Sequence, residues 1–172
     1  GALPNPSAGG LNICQFSEID LNFDGIQDLI VFDRTGFRVT TYINGGTANQ
    51  VDYKHAPQYQ AAFPADLHDW VLLRDYDCDG KMDIFTYQSP GVRVFHNTST
   101  NGNLQFTLRY NLILTDYNPG GNPNLINLYV SPVDIPAIRD VDNDGDLDFL
   151  TFSILGTFLE YHKNMSVENG VA

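Results

Sequence analysis

Asp20, Asn22, Asp24, Ile26 and Asp28 fill the odd positions of the nine-residue stretch "DLNFDGIQD". The same spacing returns at Asp75, Asp77, Asp79, Lys81 and Asp83 in "DYDCDGKMD", and at Asp140, Asp142, Asp144, Asp146 and Asp148 in "DVDNDGDLD". All three fit D-x-[DN]-x-D-G-x-x-D, and they hold 12 of the 21 acidic residues of a chain that is only 17% charged. Carboxylates crowded this closely repel one another, and a hard divalent cation is the chemistry that relieves them. Calcium takes six to eight oxygen ligands at about 2.3–2.6 Å. Alternate residues of a tight loop turn inward, so positions 1, 3 and 5 converge on one ion. Glycine at position 6 permits the sharp turn, position 7 offers its backbone carbonyl, and position 9 adds a carboxylate. Lys81 is acceptable at position 7 because only its backbone is used. Up to three Ca²⁺ ions are therefore expected. The competing reading is that Asp-Gly pairs merely make good surface turns. It accounts for one copy far better than for three full-length matches.

The loops must be held by regular elements, and these repeat too. The copies begin at residues 20, 75 and 140, spacings of 55 and 65, within the range of repeat architectures. Each final Asp is followed by an apolar, β-prone run: "LIVF", "IFTY" and "FLTF". Glycine falls eight residues after that Asp in every copy, at Gly36, Gly91 and Gly156. A second β-rich run follows: "FRVTTYIN", "VRVFHN" and "TFLEYHKN". The glycine slot reads as a hairpin turn that needs φ > 0. Short strands, "CQFSEI", "WVLLR" and "IPAIR", precede the loops. Fourth, outer strands are expected near Val51 to Lys54 and within Leu104 to Leu114, with none in the third unit. Tyr59 to Asp66 suits a helical turn, and Asp116 to Asn124 ("DYNPGGNPN") a loop. The expected fold class is all-β: three antiparallel β-sheet repeats, not a closed propeller. Residues 1–11 read as an extended N-terminal arm. Residues 12–172 read as a single β-repeat domain with units near 12–65, 66–133 and 134–172.

Position 12 of each loop is Val31, Thr86 or Thr151, inside a β-type run. A helix-loop-helix calcium site needs an acidic residue there. Thrombospondin-type repeats place such loops almost end to end, and this spacing is too wide. The loops, their flanking strands and the hairpin glycines resemble FG-GAP and VCBS repeats. These are the calcium-loop blades of β-propellers seen in integrin α-subunit heads and in many secreted bacterial proteins. The style of the units is similar to that of Bacteroidota-type proteins. The resemblance covers roughly Asn12 to Asn164. It implies an extracellular setting with calcium near millimolar and the loops filled. It also implies neighbouring blades that can bring Cys14 and Cys78 together, where oxidation would favour a disulfide. Propellers close with about four to eight blades, and three leave open ends. Either further blades of a parent chain or other copies of the chain complete them, and a head-to-tail joint makes rings or filaments.

The remaining composition narrows the function. A net charge of −12 disfavours nucleic acid and anionic membrane, since nothing would neutralise phosphate. No apolar run approaches the length of a membrane span. The opening "GALPNPSAGG" lacks the basic and apolar regions of a signal peptide, as expected of either a mature secreted chain or a trimmed one. Among His55, His68, His96 and His162, the last two fall in equivalent third strands and read as part of the repeat. No nucleophile elbow, zinc-protease helix or phosphate loop is found. Every close acid pair lies inside a metal loop, so no separate glycosidase pair is present. Asn97 and Asn164 head N-glycosylation patterns. The expected function is an extracellular, non-enzymatic, calcium-binding structural or adhesive module that self-associates head-to-tail. One alternative is a ligand-binding propeller fragment of a larger adhesin or carbohydrate-active enzyme, with a glycan or cell-surface ligand; a second is an enzyme whose site the sequence does not reveal.

Overall fold

The computed structural model describes residues 9–100, 102–118 and 120–170, so most of the expected N-terminal arm, residues 1–8, lies outside the described residues. The chain is all-β with open repeat sheets. Cys14–Ile19 (β1), Asp28–Asp33 (β2), Arg38–Asn44 (β3) and Tyr53–His55 (β4) form the first sheet, antiparallel and in chain order. Val71–Arg74 (β5), Asp83–Gln88 (β6), Gly91–Asn97 (β7) and Phe106–Tyr110 (β8) form the second. Leu114–Asp116 (β9) and Leu125–Asn127 (β10) make a small hairpin. Ala137–Arg139 (β11), Asp148–Phe152 (β12) and Leu159–His162 (β13) form a three-stranded third sheet. Pro57–Ala62 is a 3-10 helix, close to the expected helical turn.

Side chains alternate across each sheet, and that alternation sorts them into two cores. Ile30 and Phe32 of the first sheet pack with Leu73, Ile84 and Phe95 of the second. The other face of the second sheet, Phe85, Val92 and Val94, packs with Ile138 and Phe149 of the third. The three sheets are thus stacked face to face in chain order, and the middle one is covered on both sides. Trp70, fully buried, anchors the second core. Each such side chain contributes about 1.5–3 kcal/mol.

Several details differ from the sequence reading. The first outer strand is Tyr53–His55, starting two residues and ending one residue later than expected, because it pairs with Tyr42 to Asn44. The second is Phe106–Tyr110, with a register shift opposite Val94 and Phe95. The stretch from Asp116 to Asn124 is the turn of the β9–β10 hairpin, closed by Asp116 Oδ1, which accepts from Asn118 N and Asn124 N (both 2.9 Å). Among the hairpin glycines only Gly156 takes positive φ (66°); in the first turn Phe37 does so instead (50°). Gly91 serves a different purpose: a Cβ there would lie 2.3 Å from the Leu128 carbonyl oxygen. At the start of the described chain, Arg38 Nη2 donates to the Gly9 and Gly10 carbonyls (both 3.3 Å).

Candidate metal centres

Each acidic loop joins the first and second strands of its sheet, and its shape is set by its own carboxylates. Position 1 gathers the backbone amides. Asp20 accepts from Phe23 N (2.7 Å), Asp24 N (3.2 Å) and Gly25 N (2.8 Å). Asp140 repeats this with Asn143 N, Asp144 N and Gly145 N. Asp75 does so with Asp79 N and Gly80 N. Turning those amides inward requires left-handed backbone at positions 4 and 6. Gly25, Gly80 and Gly145 supply position 6 (φ 84°, 84° and 104°), and Phe23, Cys78 and Asn143 adopt the same region at position 4 (64°, 58° and 65°). Position 5 caps the amide of position 7, at 2.8 Å for Asp24 and Asp79 and 3.1 Å for Asp144.

Position 9 is the strut between loop and sheet. Asp28, Asp83 and Asp148 are fully buried. One oxygen of each accepts from the position-2 amide: Leu21 (2.9 Å), Tyr76 (3.0 Å) and Val141 (3.0 Å). The other accepts from an asparagine amide at the end of the third strand: Asn44 (2.7 Å), Asn97 (2.7 Å) and Asn164 (2.8 Å). The Asn44 and Asn97 side chains return the contact by donating to the carbonyls of Gln27 and Met82 at position 8 (3.0 Å each). Burial pushes the Asp28 and Asp83 carboxyls above their ordinary range, with the amide bonds pulling the other way. A cation beside such a group would favour its ionised form.

Among the described residues the acidic donor atoms converge in the second and third loops. Carboxylate oxygens of Asp75, Asp77 and Asp79 lie within 4.8 Å of one another, as do those of Asp140, Asp142 and Asp148 and those of Asp142, Asp144 and Glu168. Asp77, Asp83 and His96 form a further such group. In the first loop Asn22 stands at position 3, and its amide donates to Asp24 Oδ2 (2.8 Å). Clustered oxygen donors are the set a hard cation requires, and these clusters can hold a metal ion. At position 7, Lys81 Nζ turns to Asp79 Oδ2 (2.9 Å), and Ile26 reaches toward Gly46. Asp146 is buried; its Oδ2 accepts from Ser166 Oγ (2.8 Å) and Val167 N (3.2 Å), and its Oδ1 has no partner among the described residues.

Two residues of these centres escape a reading by sequence alone. His96 Nδ1 lies 3.3 Å from Asp77 Oδ2 and 3.2 Å from Asp83 Oδ1. Lys163 Nζ lies on Asp142, on Glu168 and, at 3.1 Å, on Asp144 Oδ2, and those carboxylates raise its pKa well above the usual lysine range. Both stand one residue before the closing asparagine, so His96 and Lys163 are the true counterparts, with Ile43 in the first repeat. His162 instead points toward the β9–β10 hairpin, where Thr115 Oγ1 is 3.0 Å from its Nδ1. The signal was the offset from the asparagine rather than the residue type.

Cys14 and Cys78 are both free, so the one disulfide that two cysteines allow is not formed. Cys78 sits on the outer rim of the second loop, with its Sγ 3.8 Å from the Gly145 carbonyl of the third. Asn97 is 3% exposed and engaged at both ends of its amide, so it is a structural residue and offers no glycan acceptor.

Residues 20–86 match the family model of the FG-GAP-like repeat. The match begins at the first loop, crosses the rest of the first sheet and ends in β6 beyond the second loop. No curated protein and no solved structure matches the chain.

Proposed function

We propose that this chain is an extracellular, calcium-stabilised scaffold built from FG-GAP-type repeats, without catalytic activity, that associates with further copies of itself through its open ends. The observation that carries the reading is the threefold recurrence of one arrangement: a position-1 carboxylate shaping the loop and a buried position-9 carboxylate pinning it to its sheet. FG-GAP-like repeats typically occur in extracellular, non-catalytic proteins. Among the described residues no helix is long and apolar enough to cross a membrane.

In this reading Asp20, Asn22, Asp24 and Asp28 hold one ion, with the Ile26 carbonyl. Asp75, Asp77, Asp79 and Asp83 hold the second with the Lys81 carbonyl. Asp140, Asp142, Asp144 and Asp148 hold the third with the carbonyl of Asp146. Three ions would bring the net charge of −12 to about half that and remove the repulsion within each loop. Binding to the folded state alone adds about 4 kcal/mol per site when the ion stands about a thousandfold above its dissociation constant. Thermal unfolding in millimolar calcium and in excess EGTA tests this, with calorimetric counting of bound ions. A large loss of Tm in chelator and three ions per chain are expected. Identical melting curves would overturn the calcium reading.

A further inference from the structure

The two junctions between the three repeat sheets share one apolar pattern. The residues two and four places after a loop's final aspartate face the following sheet: Ile30 and Phe32 in the first, Phe85 and Tyr87 in the second. The residue one place after it faces the preceding sheet: Ile84 in the second, Phe149 in the third. Polar stitches cross both junctions. Gln15 Oε1 accepts from Val71 N (3.0 Å), and Arg74 Nε donates to the Ile138 carbonyl (3.1 Å).

Each end of the stack presents one unmatched half of this junction. On the third sheet the following-side residues are Leu150 and Phe152, with cross-strand partners Tyr161 and Leu159. Phe152, Tyr161 and Leu159 are 42%, 46% and 56% exposed. On the first sheet the preceding-side residues are Leu29, half-buried, and Val31, already buried beneath its neighbours, so the open surface there is Phe16, 66% exposed, with the edge of Leu29. The charges correspond as well. Arg74 and Arg139 both immediately precede a loop's first aspartate, so the exposed Arg139 is the counterpart of the stitching Arg74. The residue that Arg74 meets, Ile138, has Glu18 as its counterpart in the first sheet, also exposed. The acceptor of Arg74 is the Ile138 backbone carbonyl, so the acceptor that corresponds to it for Arg139 is the Glu18 carbonyl, with the Glu18 carboxylate on the same residue to add charge.

We infer that the outer face of the third sheet (Leu150, Phe152, Leu159, Tyr161) docks on the outer face of the first sheet (Phe16, Leu29) of a second copy, with Arg139 meeting Glu18. This rests on the self-association reading above and adds the surfaces and their register. The two faces differ, so the joint is head-to-tail. Two copies supply six sheets, a number at which propellers close.

Sedimentation of the calcium-loaded chain over a concentration series tests the joint. A mass of at least twice 19.2 kDa is expected. Phe16→Glu and Leu159→Glu should each abolish association while keeping the folded far-UV spectrum and a melting curve independent of concentration, since both side chains are exposed. Mixed together, they should form a dimer, because one variant keeps an intact third sheet and the other an intact first. Arg139→Glu should weaken association about tenfold, the effect of roughly 1.4 kcal/mol, and Glu18→Arg added to it should restore it. Association that survives Phe16→Glu and Leu159→Glu would overturn the assigned faces and leave self-association standing. A chain that stays monomeric up to its solubility limit would overturn both.

Discussion

Lys163 stands on Asp142 as His96 stands on Asp77, each one residue before the asparagine that closes its repeat. In the first repeat the pair is Ile43 and Asn22, neutral on both sides. A basic side chain thus accompanies an acidic position 3, and an uncharged one accompanies an uncharged position 3. Charge count alone would make the first loop the weakest site, but the third carries a tethered ammonium that an arriving cation must displace. Replacing Lys163 by Met should tighten the third site about two- to fivefold, the range of an exposed ion pair. Calorimetric titration of Lys163→Met beside the parent chain reads this directly.

Position 9 is a structural strut, whatever else it binds. Asp83→Ala would leave the Tyr76 and Asn97 amides without their acceptor, at about 1–3 kcal/mol for each buried group. The loss should persist in EGTA. Asp79→Ala, an exposed position 5, should be near neutral in EGTA and costly only in calcium. Urea midpoints of both variants in both buffers separate strut from ligand.

The glycines of the first two hairpins should respond in opposite directions. Gly91→Ala drives a Cβ onto the Leu128 carbonyl and should cost about 1–3 kcal/mol. Gly36 has nothing within 4 Å of its Cβ position and is not left-handed. Gly36→Ala should be neutral or stabilise by about 0.4–1 kcal/mol through the unfolded state. Paired thermal melts decide it.

Asp33 gives the first sheet an acid-sensitive edge. Its carboxylate accepts from Thr35 N (3.0 Å), Ile13 N (3.2 Å) and Asn12 N (3.2 Å), and these bonds hold its pKa below the ordinary value. A lowered folded-state pKa contributes stability above the unfolded value, near 3.8, that is lost as pH falls through the folded one. The amide resonances of Asn12, Ile13 and Thr35 should shift together below about pH 4 and hold steady from pH 5 to 7. Asp33→Asn should remove the transition.

The parts of this fold legible in the sequence were those with a strict period. Loop spacing and alternating strands placed β1, β2, β6 and β12 within a residue or two. Three-residue strands carry too little pattern, so β4 was displaced and the β9–β10 hairpin, with its proline- and glycine-rich turn, read as a plain loop. Sequence spacing gathered the carboxylates of each centre but could not show which third-strand side chain folds over them; that depends on the register of β7 and β13 against their partners. The Cys14–Cys78 pairing failed for a related reason. Cys78 lies on the outer rim of its loop beside Gly145, a placement set by stacking of the sheets and invisible along the chain.

Among the described residues, the middle sheet is the only one of the three packed on both faces. In a stack where each unit touches only its neighbours, cooperativity is a sum of unit and contact terms. Losing either end costs one contact, whereas opening the middle costs two. The chain should therefore fray from its termini inward, with the Ile84 and Phe85 amides the slowest to exchange with solvent. A cap on either end would convert that gradient into a single all-or-none unit.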